Sequence, residues 1–142
     1  MPIRPFLPGD SDGVAQLWRT VFPDDPPWNS PEQVIALKQT VQADLFLVFE
    51  SEEVIRGTVI AGFDGVRGWI HKLATDPACQ GQGIGQALMH AAEAGLKSLG
   101  CPKVNLQVRA GNEAVVGFYE SIGYVSEERI SMGKQLGKPS AT

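Results

Sequence analysis

A glycine-dense loop between a strand and a helix constrains this chain more than any other feature. The segment Leu73–Gly85 begins as an apolar strand, turns at Pro77, and reaches Gly81, Gly83 and Gly85 as a helix begins. Glycine lets the backbone turn sharply and approach a ligand closely, because no side chain stands in the way. The first N–H groups of such a helix point outward with the positive end of its dipole. This arrangement is typical of a phosphate or pyrophosphate site.

Apolar spacing and turn residues predict one domain over residues 1–142, in which helices and strands are mixed. Strands are predicted at residues 3–6, 45–49, 54–63, 69–75 and 103–108, followed by an extended hairpin at 124–125 and 129–136. Helices are predicted at residues 11–21, 30–41, 83–99 and 112–122, with Ser30 and Asn112 as N-terminal caps. Trp18 and Trp69 are expected in the core.

Composition excludes several classes of protein. An apolar fraction of 43% is typical of a globular chain. Twelve basic and sixteen acidic residues give a net charge of −4, which argues against nucleic-acid binding. We expect no membrane partner and a cytoplasmic location, because no apolar run suits a signal peptide or a membrane span. Cys79 and Cys101 have no CxxC pattern or histidine cluster around them, so no metal site is predicted.

Two familiar phosphate-binding patterns disagree with the glycine loop in detail. A Walker A loop needs Lys and then Ser or Thr after its last glycine, whereas Gln86 and Ala87 follow Gly85 here. A dinucleotide fold needs the spacing GxGxxG in its first strand–helix unit and an acidic residue about 20 positions later. This chain has GxGxG in its middle and Asn105 near the expected acidic position.

Two motifs together resemble the GNAT superfamily of N-acetyltransferases. The pattern Gln80-x-x-Gly83-x-Gly85 is similar to the family's pyrophosphate loop, and the segment 112–124 is similar to its second signature. That segment contains an Asn, then Phe-Tyr about two helical turns later, then Gly and an aromatic residue. The resemblance covers nearly the whole chain, and Trp28 within the sequence Pro-Trp-Asn resembles small single-domain bacterial members whose acceptor is unassigned.

The resemblance implies an α+β, three-layer fold with a mixed, mostly antiparallel sheet of six to seven strands and about four helices. It also implies acetyl-CoA as co-substrate. The main chain of residues 81–85 would hold the pyrophosphate, and the strand at Leu73 and Thr75 would bind the pantetheine arm. The CoA-binding residues that the resemblance implies are Leu73, Ala74, Thr75, Gln80, Gly81, Gln82, Gly83, Ile84, Gly85, Asn112, Phe118 and Tyr119.

Acetyl transfer to an amine requires a neutral amine, a stabilised oxyanion and a proton for the departing thiolate. The resemblance places the hydroxyl of Tyr119 near the thioester sulfur, and a phenol is suited to protonate a thiolate. Tyr119 also lies on an apolar helical stripe, so a core tyrosine is the alternative interpretation. His71 lies two residues before Leu73, so strand alternation places it on the face of Leu73 and Thr75, where it could relay a proton. A structural histidine is the alternative, and Asp64 and Glu50 are weaker candidates for the base.

We therefore expect an N-acetyltransferase in which a primary amine attacks acetyl-CoA directly within a ternary complex. The acceptor is a small molecule or a protein amine, and Trp28 and Asn29 are the candidate acceptor contacts. The alternatives are a non-catalytic module that binds acyl-CoA or a partner, and a Rossmann-like nucleotide binder. A homodimer that pairs through the last hairpin is possible.

Overall fold

A mixed sheet organises the first of the two units into which the chain divides between Leu106 and Gln107. The computed structural model describes residues 2–137. In those residues the sheet has five strands in chain order: β1 (Ile3–Pro5), β2 (Phe46–Ser51), β3 (Val54–Phe63), β4 (Gly68–Thr75) and β5 (Val104–Leu106). Neighbouring strands are antiparallel except β4 and β5, which are parallel. The predicted α+β class with a mixed, mostly antiparallel sheet is confirmed.

Four α-helices occur in the described residues, as predicted. They are α1 (Ser11–Val21), α2 (Pro31–Lys38), α3 (Ile84–Ser98) and α4 (Glu113–Ser121). Ser30 caps α2 as expected, because its Oγ accepts a hydrogen bond of 3.3 Å from the N–H of Gln33. The helix ends three residues before the predicted position 41, and Gln42 adopts a left-handed conformation.

The core lies on both faces of the sheet. On one face, the Trp18 indole of α1 donates a 2.8 Å hydrogen bond to the Thr58 hydroxyl of β3, and both residues are buried. On the other face, α3 lies directly on β3. A Cβ atom at Gly57 would lie 2.9 Å from side-chain atoms of both Ile84 and Leu88, so glycine is what permits this close approach. Trp18 is in the core as expected, whereas Trp69 is only half-buried.

The second unit contains α4 and the segment that follows it. The predicted hairpin is absent from the described residues 124–137, and this accounts for a strand count of five instead of six to seven. The apolar residues of the segment reach solvent: Val125, Ile130, Met132 and Leu136 are 81–94% exposed. Alternating apolar residues stabilise a hairpin only where one face packs on something else, because a two-stranded hairpin alone is marginal.

We expect the substitution Gly57→Ala to destabilise the protein by about 1–3 kcal/mol, because the added methyl overlaps two buried side chains. Urea denaturation measures the change. The matched control is Gly9→Ala, since a Cβ at Gly9 meets nothing within 4 Å. Equal unfolding free energies for the two variants would contradict the close approach of α3 to β3.

Candidate active site

The turn after β4 is fixed by Asp76. Its carboxylate accepts hydrogen bonds from the Ala78 N–H at 2.9 Å and from the Arg56 guanidinium at 2.6 Å. Its own N–H donates to the Arg56 carbonyl at 2.8 Å. The Ala78 N–H and then Arg56 hold the pKa of Asp76 below its ordinary value, so the carboxylate stays charged at neutral pH. These contacts attach the start of the glycine loop to β3.

The glycine loop then opens into α3 with two left-handed residues. Gly81 has φ = 83° and Gly83 has φ = 78°, and a Cβ at either position would meet nothing within 4 Å. Glycine is therefore required here for backbone conformation and not for packing. The first turn of α3, which lies wholly within the described residues, carries no acidic side chain, and its N-cap Gly83 has no side chain to cap it. Residues 80–83 are exposed. The positive end of the α3 dipole thus faces solvent beside a bare backbone.

Two of the residues predicted to bind CoA have side chains that belong to the core. Ala74 and Ile84 are each only 2% exposed, so they can offer a ligand only their main chain. Leu73, Thr75 and Gly85 are half-buried. These residues and the loop lie consecutively in the first unit, from the last part of β4 to the first turn of α3.

Strand β4 has an edge along its second half that pairs with no other strand of the described residues, and we call it the open edge. Its pairing with β5 ends at Ile70 and Leu106, whereas β4 itself continues to Thr75. The N–H of Asp76 donates to Arg56 on β3. Because successive peptide groups of a strand point to opposite sides, the N–H and carbonyl of Thr75 point away from β3. The main chain there has the orientation that an added extended ligand needs.

A β-bulge corrects the predicted position of His71. Thr58 pairs with Ala74 and Ile60 pairs with His71, so Val59 alone faces two residues of β4. His71 therefore lies on the sheet face of Thr58 and Ile60. Thr75 pairs with Gly57 and lies on the opposite face. The prediction that His71 shares the face of Thr75 is wrong, because simple alternation assumes that no residue is inserted.

The environment of His71 keeps its imidazole neutral. Burial of the ring, and then the positive charges of Lys38 and Lys72, lower the pKa of His71 below its ordinary value. The residue still reaches solvent. The ring can therefore accept a proton at neutral pH, although the same causes weaken it as a base. The weaker candidates for the base are engaged elsewhere: Asp64 accepts hydrogen bonds from the N–H groups of Val66 and Arg67, and Glu50 pairs with Arg4.

The second unit contains the other predicted site residues. Asn112 precedes α4 and is exposed, but its side chain makes no capping hydrogen bond, which differs from the expected cap. Phe118 and Tyr119 are half-buried neighbours whose rings meet edge to face, with centroids 5.2 Å apart. Tyr124 packs on the other side of Tyr119, at 5.7 Å. Burial raises the pKa of Tyr119 to about 12, so the phenol stays protonated at neutral pH.

The loop between α1 and α2, residues 22–30, holds the candidate acceptor contacts. Trp28 is 50% exposed within the short 3-10 turn Pro27–Asn29, and Asn29 is half-buried. The residue that sequence reasoning missed is Lys72, whose side chain is 9% exposed and paired with Asp25 of this loop. The available signal was a lysine within a largely apolar strand, since lysine is almost never fully buried unless it is paired.

Two kinds of feature are absent from the part of the chain that the structure describes. Residues 2–137 include no helix with the length and apolar character that a membrane span requires. The same residues include no group of three or more His, Cys, Asp or Glu side chains placed to hold a metal ion.

Comparison with known proteins decides the family. The family model for GNAT acetyltransferases matches residues 12–124. The chain belongs to the GNAT family. An acetyltransferase of Pectobacterium atrosepticum is 41% identical to it over 136 residues, which are 96% of each chain. The similarity predicted from the two motifs is thereby confirmed.

Solved structures of the family share the fold. Ard1 from Thermoplasma volcanium has a TM-score of 0.78 at 23% identity, over 87% of this chain and 82% of that one. The aminoglycoside N-acetyltransferase AAC(6')-Iy, solved in complex with CoA, has a TM-score of 0.76 at 16% identity, over 96% of this chain and 95% of that one. The same enzyme was also solved with a bisubstrate analogue, CoA-S-monomethyl-acetylneamine.

The raised pKa of Tyr119 predicts how the stability of the protein changes at alkaline pH. The phenol binds its proton more tightly in the folded state than in the unfolded state, so stability falls as pH rises from about 10 towards about 12. Absorbance of tyrosinate should show a late ionisation near pH 12, which Tyr119→Phe removes. An ionisation of Tyr119 near the ordinary value of about 10 would contradict its burial.

Proposed function

We propose that the protein is an acetyl-CoA-dependent N-acetyltransferase that acetylates a primary amine by direct attack within a ternary complex. The observation that carries the proposal is the exposed glycine backbone at the positive end of α3, next to the open edge of β4, in a chain of the GNAT family. A structural neighbour, AAC(6')-Iy, was solved with CoA and with a bisubstrate analogue, which supports both substrates.

Different parts of the candidate site suit different parts of acetyl-CoA. The N–H groups of residues 81–85 donate hydrogen bonds to the pyrophosphate oxygens, and no acidic side chain opposes the anion there. The outward peptide group of Thr75 pairs with the amide-containing pantetheine arm, as an added strand pairs with a sheet edge. Asn112 and Phe118 of the second unit contact the cofactor arm, as they are proposed to do from the family resemblance.

The proposed reaction can be written as a sequence of bond changes. The neutral amine attacks the thioester carbonyl carbon, and a main-chain N–H near Leu73 or Thr75 stabilises the oxyanion. The carbon–sulfur bond then breaks, and Tyr119 gives its proton to the thiolate. The attacking nitrogen loses one proton, which His71 accepts through water. Trp28 and Asn29 contact the acceptor, which is a small molecule or a protein amine.

We expect Gly83→Glu to weaken CoA binding on the order of 10²-fold, because a carboxylate then faces the pyrophosphate at short range. Isothermal calorimetry with CoA measures the affinity. Gly83→Gln is the matched control, since it has the same bulk and the same left-handed strain without the charge. The pyrophosphate is misplaced if the two variants lose affinity equally.

We expect Tyr119→Phe to lower turnover on the order of 10²-fold while CoA affinity stays within about twofold, because only the proton donor is removed. Acetyl-CoA consumption is measured with a panel of amines that includes a polyamine, an aminoglycoside and a lysine peptide. Tyr124→Phe is the control, because it removes the neighbouring phenol instead. Unchanged turnover in Tyr119→Phe would exclude the residue as the acid, and tight CoA binding with no turnover in the unmodified protein would favour the non-catalytic module.

A further inference from the structure

The backbone at Lys72 is held in a conformation that lysine rarely adopts. Lys72 lies in the β4 bulge with φ = 54°, in the left-handed region. Its carbonyl accepts a 2.9 Å hydrogen bond from the hydroxyl of Thr58, which in turn accepts the indole N–H of Trp18 at 2.8 Å. Thr58 is fully buried and Trp18 nearly so. A strained residue persists only where its surroundings fix it, and strain of this kind is typical of functional sites.

The side chain of Lys72 extends from the sheet to the loop between α1 and α2. Its ammonium pairs with the carboxylate of Asp25 and lies 4.7 Å from the centre of the Phe22 ring and 5.4 Å from that of Trp18. The side chains of Lys72 and Asp25 are 9% and 14% exposed. Both charges are thus largely shielded from water. Removal of one partner from such an ion pair strongly destabilises the folded protein, because the other charge stays buried.

Lys72 therefore joins two parts of the candidate active site. On the strand it lies between His71 and Leu73, just after the pairing of β4 with β5 ends at Ile70. On the loop it fixes Asp25, which precedes the turn that carries Trp28 by two residues. The other ion pair across this loop, Arg19 with Glu32, is 59% and 62% exposed, so water weakens it.

We propose that Lys72 is a positioning residue whose buried ammonium holds the loop of residues 22–30 against the β4 bulge, so that the acceptor amine meets a preformed site. The inference rests on the proposed function in one respect, namely that this loop contacts the acceptor. Asp25 is then occupied by Lys72 and does not itself bind a cationic acceptor. The pair acts as one unit, because removal of either charge leaves the other largely buried without its ion-pair partner.

Three variants test the proposal: Lys72→Met, Asp25→Asn, and the two combined. The combined variant leaves no orphaned buried charge, so it keeps the test open where a single variant fails to fold. Arg19→Met is the matched control, since it removes the exposed ion pair that spans the same loop. Each protein is examined by amide hydrogen exchange without any acceptor, by calorimetry with CoA, and by steady-state kinetics with the best amine of the panel.

We expect amides of residues 22–30 to exchange about tenfold faster or more in all three variants and not in Arg19→Met. CoA affinity stays within about twofold, and KM for the amine rises about tenfold while kcat changes less, because the loop is positioned before chemistry occurs. The combined variant is no worse than the more affected single variant, since one interaction is lost in each.

Unchanged exchange of the loop in the combined variant would overturn the proposal. So would a rise in acceptor KM on adding Asp25→Asn to Lys72→Met, because Asp25 would then contact the acceptor directly. A purely structural pair lowers the melting temperature but leaves the acceptor KM of the folded variants unchanged, which also contradicts the proposal. Failure of the proposed function is a separate result: the unmodified protein acetylates no amine, and hydrogen exchange still decides whether Lys72 holds the loop.

Discussion

A chain of hydrogen bonds from the Trp18 indole through the Thr58 hydroxyl to the Lys72 carbonyl fixes the backbone of the candidate site. Trp18 and Thr58 are buried where water cannot compete, so their polar atoms need these bonds, whereas Lys72 is half-buried. The chain holds the bulge in β4, and the bulge decides which face of the sheet His71 occupies. Helix α1 therefore influences where the candidate site residues of the strand lie, although it contains none of them.

The glycine-loop end of the candidate site depends on a different constraint. Gly57 allows α3 to lie directly against β3, and Ile84 at the first turn of α3 is buried in that contact. Packing thus fixes the direction in which the helix dipole points. Gly81 and Gly83 then carry the backbone around without placing a side chain in front of it. Both the close packing of α3 on β3 and the bare backbone of the glycine loop are needed, because a helix dipole attracts a ligand only where the ligand can approach it.

Sequence reasoning succeeded where local chemistry decides the structure. Ser30 before a proline starts α2, and glycine spacing places the loop before α3, because caps and left-handed turns are decided within a few residues. It failed at the β4 bulge, where contacts with Thr58, distant in sequence, override the alternation of strand residues. Sequence reasoning also failed for residues 124–136. An alternating pattern indicates that one face of a segment is apolar, but it does not indicate which residues pack on that face.

In the proposed reaction, loss of water changes the pKa of more than one group. Burial raises the pKa of Tyr119 to about 12, which keeps its proton available but makes the phenol a weaker acid. A thiolate is also an anion, so the same loss of water raises the pKa of the departing thiol above its ordinary value of about 8.5. That rise narrows the difference in pKa between the phenol and the thiol. The same dryness lowers the pKa of an amine from about 10.4 and favours its neutral, nucleophilic form. His71 is exposed, and its pKa is lowered by partial burial of the ring together with the charges of Lys38 and Lys72. The proposed proton transfer from Tyr119 to sulfur therefore requires that the sulfur be desolvated about as strongly as the phenol.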